Sequence, residues 1–461
     1  GNNAFGYGNG LPSATIPNSV TSIGNSAFHS CRGMTAVTFG NSVTTIGNAA
    51  FQDCTSLISV TIPNSVTSIG ERAFDGCFGL TSVIIGNSVT TIGSYAFWAS
   101  SITSVTIPNS VTSIGNKAFL SAYLTKVEIN SNAVVNMNFN YMFSLSTIFG
   151  EQVKEYVLGQ EITSIGNYAF YNCKGLTSIN IHENIRTIGR NAFYHCTNLT
   201  QFTIPSSLTS IGDGALNGSG LTYLYIPNTV TLGESLCSGC PNLKRVDLNN
   251  KNVVSKDYSV CDYSLDAIIG DACEECILGD DITSIGNSAF HDMPHLKSVS
   301  IPSSVTSIGA CAFLRCFDLT SVTIPNNVTT IGYSAFVYCT SLTSITIPSS
   351  VTSIGGVAFY GCSGLNSLSV ASENTKYDSR NNCNAIIESA TNTLIAGCKN
   401  TIIPDDVTNI ANGAFANCSG LTSITIPNGV TSIGSDAFWG CSGLTSVTIP
   451  SSVMWIYPDA F

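Results

Sequence analysis

The sequence predicts a β-rich solenoid running the length of the chain. Two observations carry this. A unit of 22–23 residues recurs from one end to the other, and within each unit two short apolar segments are separated by turn residues. Regularity of this kind over 461 residues excludes a string of independent globular domains, although the length alone would accommodate several.

The unit begins at positions 11, 34, 57, 80, 102, 124, 153, 176, 199, 221, 243, 273, 296, 319, 342, 365, 398, 421 and 444, which makes 19 units. Three of them are longer, at 29, 30 and 33 residues. Residues 57–79 show the grammar. Leu57-x-x-Val60-x-Ile62 places apolar side chains inward from a short strand, the spacing of leucine-rich repeats. Pro63-Asn64-Ser65 turns the chain, because Pro cannot donate to a ladder and Asn tolerates turn geometry. Val66-Thr67-Ser68-Ile69 supplies a second inward pair, read as a strand on another face. Gly70 is expected to supply a backbone angle that a Cβ would resist. Ala73-Phe74-x-x-Cys77 makes at most one helical turn, with Phe filling the coil and Cys capping it. One unit cannot bury its apolar face; stacked neighbours can.

The phrases at 15–28 (TIPNSVTSIGNSAF) and 319–339 (LTSVTIPNNVTTIGYSAFVYC) resemble the BspA-like leucine-rich repeats of bacterial and protist surface proteins. The long units extend the likeness: Ile148-Phe149-Gly150 before VKEYVLG returns as Ile268-Ile269-Gly270 before CEECILG. Residues 383–404 are similar to a variant unit of gut Bacteroidales members. The resemblance implies a leucine-rich-repeat solenoid of the α/β horseshoe class with little helix. It also implies display on a cell surface or secretion, and a role in adhesion or protein binding. A single solenoid over 1–461 is expected, with excursions near 130–152, 249–272 and 371–397. Charged residues gather at the excursions, among them Glu151, Lys251, Asp262 and Asp271. The chain starts and stops in the same phase of the unit without polar caps, so it is expected to be a piece of a longer polypeptide.

Composition narrows the function. Only 10% of residues are charged, and 17 Lys and Arg face 28 Asp and Glu, a net charge of −11. No basic stripe suits nucleic acid or an anionic membrane surface. No apolar run approaches the roughly 20 residues of a membrane span.

The reactive residue types have structural readings. Ten Cys lie three residues after the unit's aromatic, at 31, 54, 77, 173, 196, 316, 339, 362, 418 and 441; Ser100 and Ser219 replace Cys there. These are read as reduced, buried, small hydrophobes. Cys273-Glu274-Glu275-Cys276 raises the question of redox or zinc chemistry, with Cys261 as the neighbouring thiol. Alignment of 268–279 with 148–159 puts Cys273 on Val153 and Cys276 on Tyr156, both inward positions, and answers it as core. His29, His195 and His291 fall on the turn after the aromatic, and Pro294 interrupts His291-x-x-x-His295 as a helical metal pair. Asp280-Asp281 and Asp405-Asp406 occupy turns held elsewhere by Asn and Ser. No catalytic constellation, metal or cofactor is expected, and the chain is read as non-enzymatic.

The outward positions of the leading strand are the informative ones. Most units place Ser and Thr there, as at Thr103, Ser104 and Thr106. Four consecutive units break the pattern with Tyr223 and Tyr225; Lys244, Arg245 and Asp247; Glu274 and Glu275; and Lys297. A smaller break occurs at Lys126, Glu128, Lys154 and Glu155. Tyr and Arg are enriched at binding hot spots. These eight residues are the expected site for a protein ligand such as a host extracellular-matrix or cell-surface protein. The alternatives are glycan or ice binding by the Ser/Thr ladder, or a passive stalk.

Overall fold

The computed structural model describes residues 1–121, 123–258 and 264–461. The fold is a parallel β-solenoid of about 19 turns with very little helix. It divides into two compact units, Gly1–Thr222 with Thr229–Pro241, and Tyr223–Asn228 with Asn242–Phe461.

In the first unit most coils contribute two short strands, one to each of two parallel-stranded faces. Ser13–Thr15, Ala36–Thr38, Ser59–Thr61 and Ser82–Ile84 pair in sequence order on the leading face. Ser22–Ile23, Thr45–Ile46, Ser68–Ile69, Thr91–Ile92 and Ser113–Ile114 do so on the second. Alternation sets the faces: in Ser104–Ile107, Val105 and Ile107 are buried while Ser104 and Thr106 are exposed. The turn at Pro63 is closed by the Val66 N–H donating to the Pro63 carbonyl at 3.1 Å.

The Ala-Phe-x-x-Cys segment is not a helical turn. Ala50, Gln52 and Cys54 donate to carbonyls three residues back in their own coil, at Gly47, Ala49 and Phe51. The intervening Ala49, Phe51 and Asp53 donate to Glu71, Ala73 and Asp75 of the next coil at 2.7–2.8 Å. A helix would spend every donor inside its own coil. The alternation requires left-handed residues, here Ala49 (φ 54°) and Asp53 (φ 58°), and makes the turn a third hydrogen-bonded wall.

Phenylalanines stack in a column inside this wall. Phe28, Phe51, Phe74 and Phe97 have centroids 5.0–5.1 Å apart and nearly parallel planes. The cysteine ladder beside them is buried, as expected, but it is more than apolar filling. The sulfurs of Cys54, Cys77 and Cys196 each donate to a Phe carbonyl of the preceding coil at 3.2 Å. Gly70 also has a different reason from the one its sequence suggests. It is absent from the left-handed glycines, and a Cβ there would lie 2.6 Å from the Asn48 nitrogen of the coil before. Close approach of coils, not a backbone angle, demands glycine.

The second unit repeats this plan. Tyr223–Ile226, Arg245–Leu248, Glu275–Leu278, Ser298–Ser300 and Ser321–Val322 form one parallel sheet in that order. The excursions are built in two ways. The first and second carry short helices, Asn132–Val135 and Leu145–Phe149, then Lys251–Val254 and Asp266–Ile269. In the first, Phe149 rejoins the phenylalanine column, 5.5 Å from Phe119. The third is a hairpin in which Ala385–Glu388 pairs antiparallel with Thr393–Gly397, and the latter continues the second-face sheet in parallel with Asn409–Ile410. Asp262 and Cys261 lie outside the described residues.

Candidate binding face

Five of the eight outward residues singled out by sequence lie in the second unit's leading sheet, and Lys244, Glu274 and Lys297 stand immediately before its strands. Register explains why. Tyr223 pairs with Arg245, Arg245 with Glu275 and Glu275 with Ser298, while Tyr225 pairs with Asp247. Buried Leu224, Val246, Cys276 and Val299 alternate with them, and a one-residue slip would turn this apolar row outward.

The side chains form two neighbouring clusters. In the first, the Tyr223 hydroxyl donates to Asp247 at 2.8 Å, and Arg245 Nε donates to the same carboxylate at 3.0 Å. The Arg245 guanidinium also lies 5.9 Å from the Tyr223 ring centroid and 3.6 Å from the Glu275 carboxylate. In the second, Glu274 is clasped from both sides by Lys244 at 2.8 Å and Lys297 at 2.6 Å. Hydrogen bonds from the two lysines pull the Glu274 carboxyl down to about 2, and Glu274 in turn raises Lys297. Arg245 is raised by its hydrogen bond to Asp247, and Tyr223 by partial burial and then by the same carboxylate.

Three cations and three anions therefore cancel within the patch. What remains presented is two tyrosine rings, about two-fifths exposed, held at fixed orientation. Sequence reading missed Asn249, whose amide donates to the Tyr225 hydroxyl at 3.0 Å. Its signal was available: Asn249 stands two residues beyond Asp247, the next outward position. Gly279 leaves the space this amide occupies, since a Cβ there would strike it. The smaller break in the first unit is a simple pairing, Lys126 to Glu155 at 2.9 Å, with Thr106 donating to Glu128 at 3.3 Å.

The plain Ser/Thr wall is less available than its composition suggests. The hydroxyls of Thr35, Thr81, Thr320 and Thr343 donate to carbonyls of the preceding coil, so their protons are committed inside the ladder.

Cys273 and Cys276 are both fully buried, as their alignment with Val153 and Tyr156 requires, and burial pushes the Cys273 thiol up to about 12. Sequence reading fastened on this pair and passed over a second C-x-x-C, Cys237-Ser238-Gly239-Cys240. His295 faces Asp318 at 3.3 Å and His195 stacks on Tyr194 at 4.2 Å. Asp406 and Asp281 are bound locally, by Arg380 and by the Asn228 amide at 3.0 Å.

The family model described as BspA type leucine rich repeat region matches in six copies, over 1–125, 44–157, 149–266, 270–387 and 389–461. No curated protein matches. Among solved structures, a leucine-rich repeat protein from Bacteroides ovatus is 28% identical, with 80% of this chain and 89% of that one covered and a TM-score of 0.42. The pneumococcal vaccine antigen PcpA is 22% identical over 67% of this chain and 74% of its own, with a TM-score of 0.34. A leucine rich cell surface protein from Faecalibacterium prausnitzii is 24% identical over 95% and 87%, with a TM-score of 0.24.

Proposed function

This chain belongs to the BspA-type leucine-rich repeat family, and from that premise we propose that it is a non-enzymatic, surface-displayed or secreted scaffold that binds a protein ligand. Leucine-rich repeat families are generally binding scaffolds, and their ligands are typically proteins. No helix among the described residues is long and apolar enough to cross a membrane.

The observation that carries the proposal is the Tyr223–Arg245–Asp247 cluster. Exposed rings on a sheet cost conformational entropy when a ligand immobilises them, about 0.5–1.5 kcal/mol per side chain. Tyr223 is already held by Asp247 and Arg245, and Tyr225 by Asn249, so that cost is met before the ligand arrives. A charge-neutral surface with two ordered tyrosines suits a protein partner of mixed polarity.

The test is capture of host extracellular-matrix and cell-surface proteins by the intact chain and by the triple variant Tyr223→Ala, Tyr225→Ala, Arg245→Ala. Hot-spot truncation costs about 2 kcal/mol or more, so affinity should fall at least ~30-fold with an unchanged unfolding midpoint. Undiminished binding by the variant would remove this face as the site.

A further inference from the structure

The second C-x-x-C lies in the first unit, where the repeat departs from its own pattern in three places at once. The phenylalanine column ends at Phe193; the next coil carries Leu216 in its place and the coil after that carries Cys237. The cysteine ladder is broken in the same coils, where Ser219 stands for Cys below Cys240. In an ordinary coil the turn joins a ring to a thiol, as Phe51 to Cys54. Here it joins a thiol to a thiol.

The geometry suits a bond between them. The Cys240 N–H donates to the Cys237 carbonyl at 2.9 Å, closing a four-residue β-turn. Such a turn brings its end Cα atoms within about 7 Å, and a disulfide spans Cα atoms about 4.4–6.8 Å apart. Gly239 in the turn has no ring or branch to obstruct the sulfurs. The Cys240 sulfur also lies 3.2 Å from the Ser219 hydroxyl and 3.1 Å from the Leu216 carbonyl. By contrast, no turn hydrogen bond links Cys273 to Cys276 among the described residues.

We propose that Cys237 and Cys240 are a redox dithiol that closes to an intramolecular disulfide by exchange with a small-molecule disulfide. Both sulfurs are buried, so the turn opens locally to expose Cys240, whose thiolate then attacks the small disulfide, forming a mixed disulfide and releasing one thiolate. Cys237 gives its proton to that thiolate and attacks the Cys240 sulfur, which expels the second. Two protein thiols and one small disulfide become one protein disulfide and two small thiols, with no other oxidant. Cys240 is the attacking sulfur because its hydrogen bonds with Cys237 and then Ser219 outweigh burial and hold its thiol at about 7. Burial instead pushes the ladder thiols Cys54 and Cys173 up to about 12.

The experiment equilibrates the native chain in glutathione buffers from fully reduced to fully oxidised, quenches in acid, alkylates and maps peptides by mass. The expected product is a Cys237–Cys240 peptide lighter by two hydrogens, while ladder cysteines are recovered alkylated. Cys240→Ser abolishes mixed-disulfide formation at this turn; Cys237→Ser traps it. The rate of glutathione addition to the Cys237→Ser protein should rise about tenfold from one pH unit below the Cys240 midpoint to one above. A turn that stays reduced in fully oxidised buffer, or a disulfide from Cys237 to any other cysteine, overturns the proposal. The wild-type map decides this even if a variant folds poorly.

Discussion

Gly355 and Gly356 are adjacent in one coil of the second unit, and an added methyl should act on them in opposite directions. At Gly355 a Cβ would stand 2.3 Å from the Tyr333 nitrogen and 2.6 Å from the Gly332 carbonyl carbon, all backbone of the preceding coil. At Gly356 the nearest atom is a Tyr333 ring carbon at 3.6 Å, an ordinary contact. Neither glycine is left-handed. Relieving the first clash means parting two coils by about 1 Å, where the Gly355 N–H donates to the Ile331 carbonyl at 2.8 Å and Ser334 donates to the Gly356 carbonyl at 3.2 Å. Two hydrogen bonds at about 1 kcal/mol each, with overpacking strain of about 1–3 kcal/mol, put Gly355→Ala at about 3–5 kcal/mol of destabilisation. Gly356→Ala meets no obstruction and should stabilise by about 0.4–1 kcal/mol through the unfolded chain. Urea unfolding followed by circular dichroism reads the midpoints of the two variants against the parent. Repeat arrays depart from two-state behaviour, so the comparison rests on the shift of the transition reporting this region. If Gly355→Ala unfolds within experimental error of Gly356→Ala, close coil approach is not why this glycine is required.

Two further tests probe the ladders. Cys77→Ser keeps a donor toward the Phe51 carbonyl, 3.2 Å away, and should cost less than Cys77→Ala, which forfeits both the bond and the sulfur's packing at about 1–3 kcal/mol; unfolding midpoints order the three proteins. At Glu274 the folded carboxyl is depressed to about 2 against an ordinary value of about 4.3, so its contribution is complete above the ordinary range and disappears as pH falls through the folded value. Carboxyl carbon shifts should titrate near 2 in the parent and return toward the ordinary range in Lys244→Met with Lys297→Met. An ordinary midpoint in the parent would mean the clasp does not hold in solution.

What sequence makes legible here is phase. Once units are aligned, period-two alternation decides which side chains face in, so the burial of Cys273 and Cys276 and the common row of Tyr223, Arg245 and Glu275 follow from counting. Cause is harder to read than phase. Recurrent glycine says that no Cβ fits, but a left-handed angle and a neighbouring backbone demand the same residue, and only the stacked coil at Asn48 separates them for Gly70. The Ala-Phe-x-x-Cys turn is opaque for a related reason. Its donors alternate between its own coil and the next, and a single unit contains only half of those bonds.

Departures from the unit are where averaging misleads most. The coil beginning at Leu221 is one residue short before Gly233, and after it Leu236-Cys237 stands where other coils have Ala-Phe, so a search keyed to the aromatic skips the thiol. The same averaging makes the cysteine ladder look uniform, although Cys240 alone in its stretch faces a hydroxyl on the coil below. Repetition gives each interior position nearly the same surroundings, so a position that departs has had its neighbours changed with it. Leu216, Ser219 and Cys237 around Cys240 are such a set, and so are Tyr223, Arg245, Asp247 and Asn249 on the outer face. In a solenoid of near-identical coils, correlated departure across adjacent coils points to a candidate site more directly than any one residue type does.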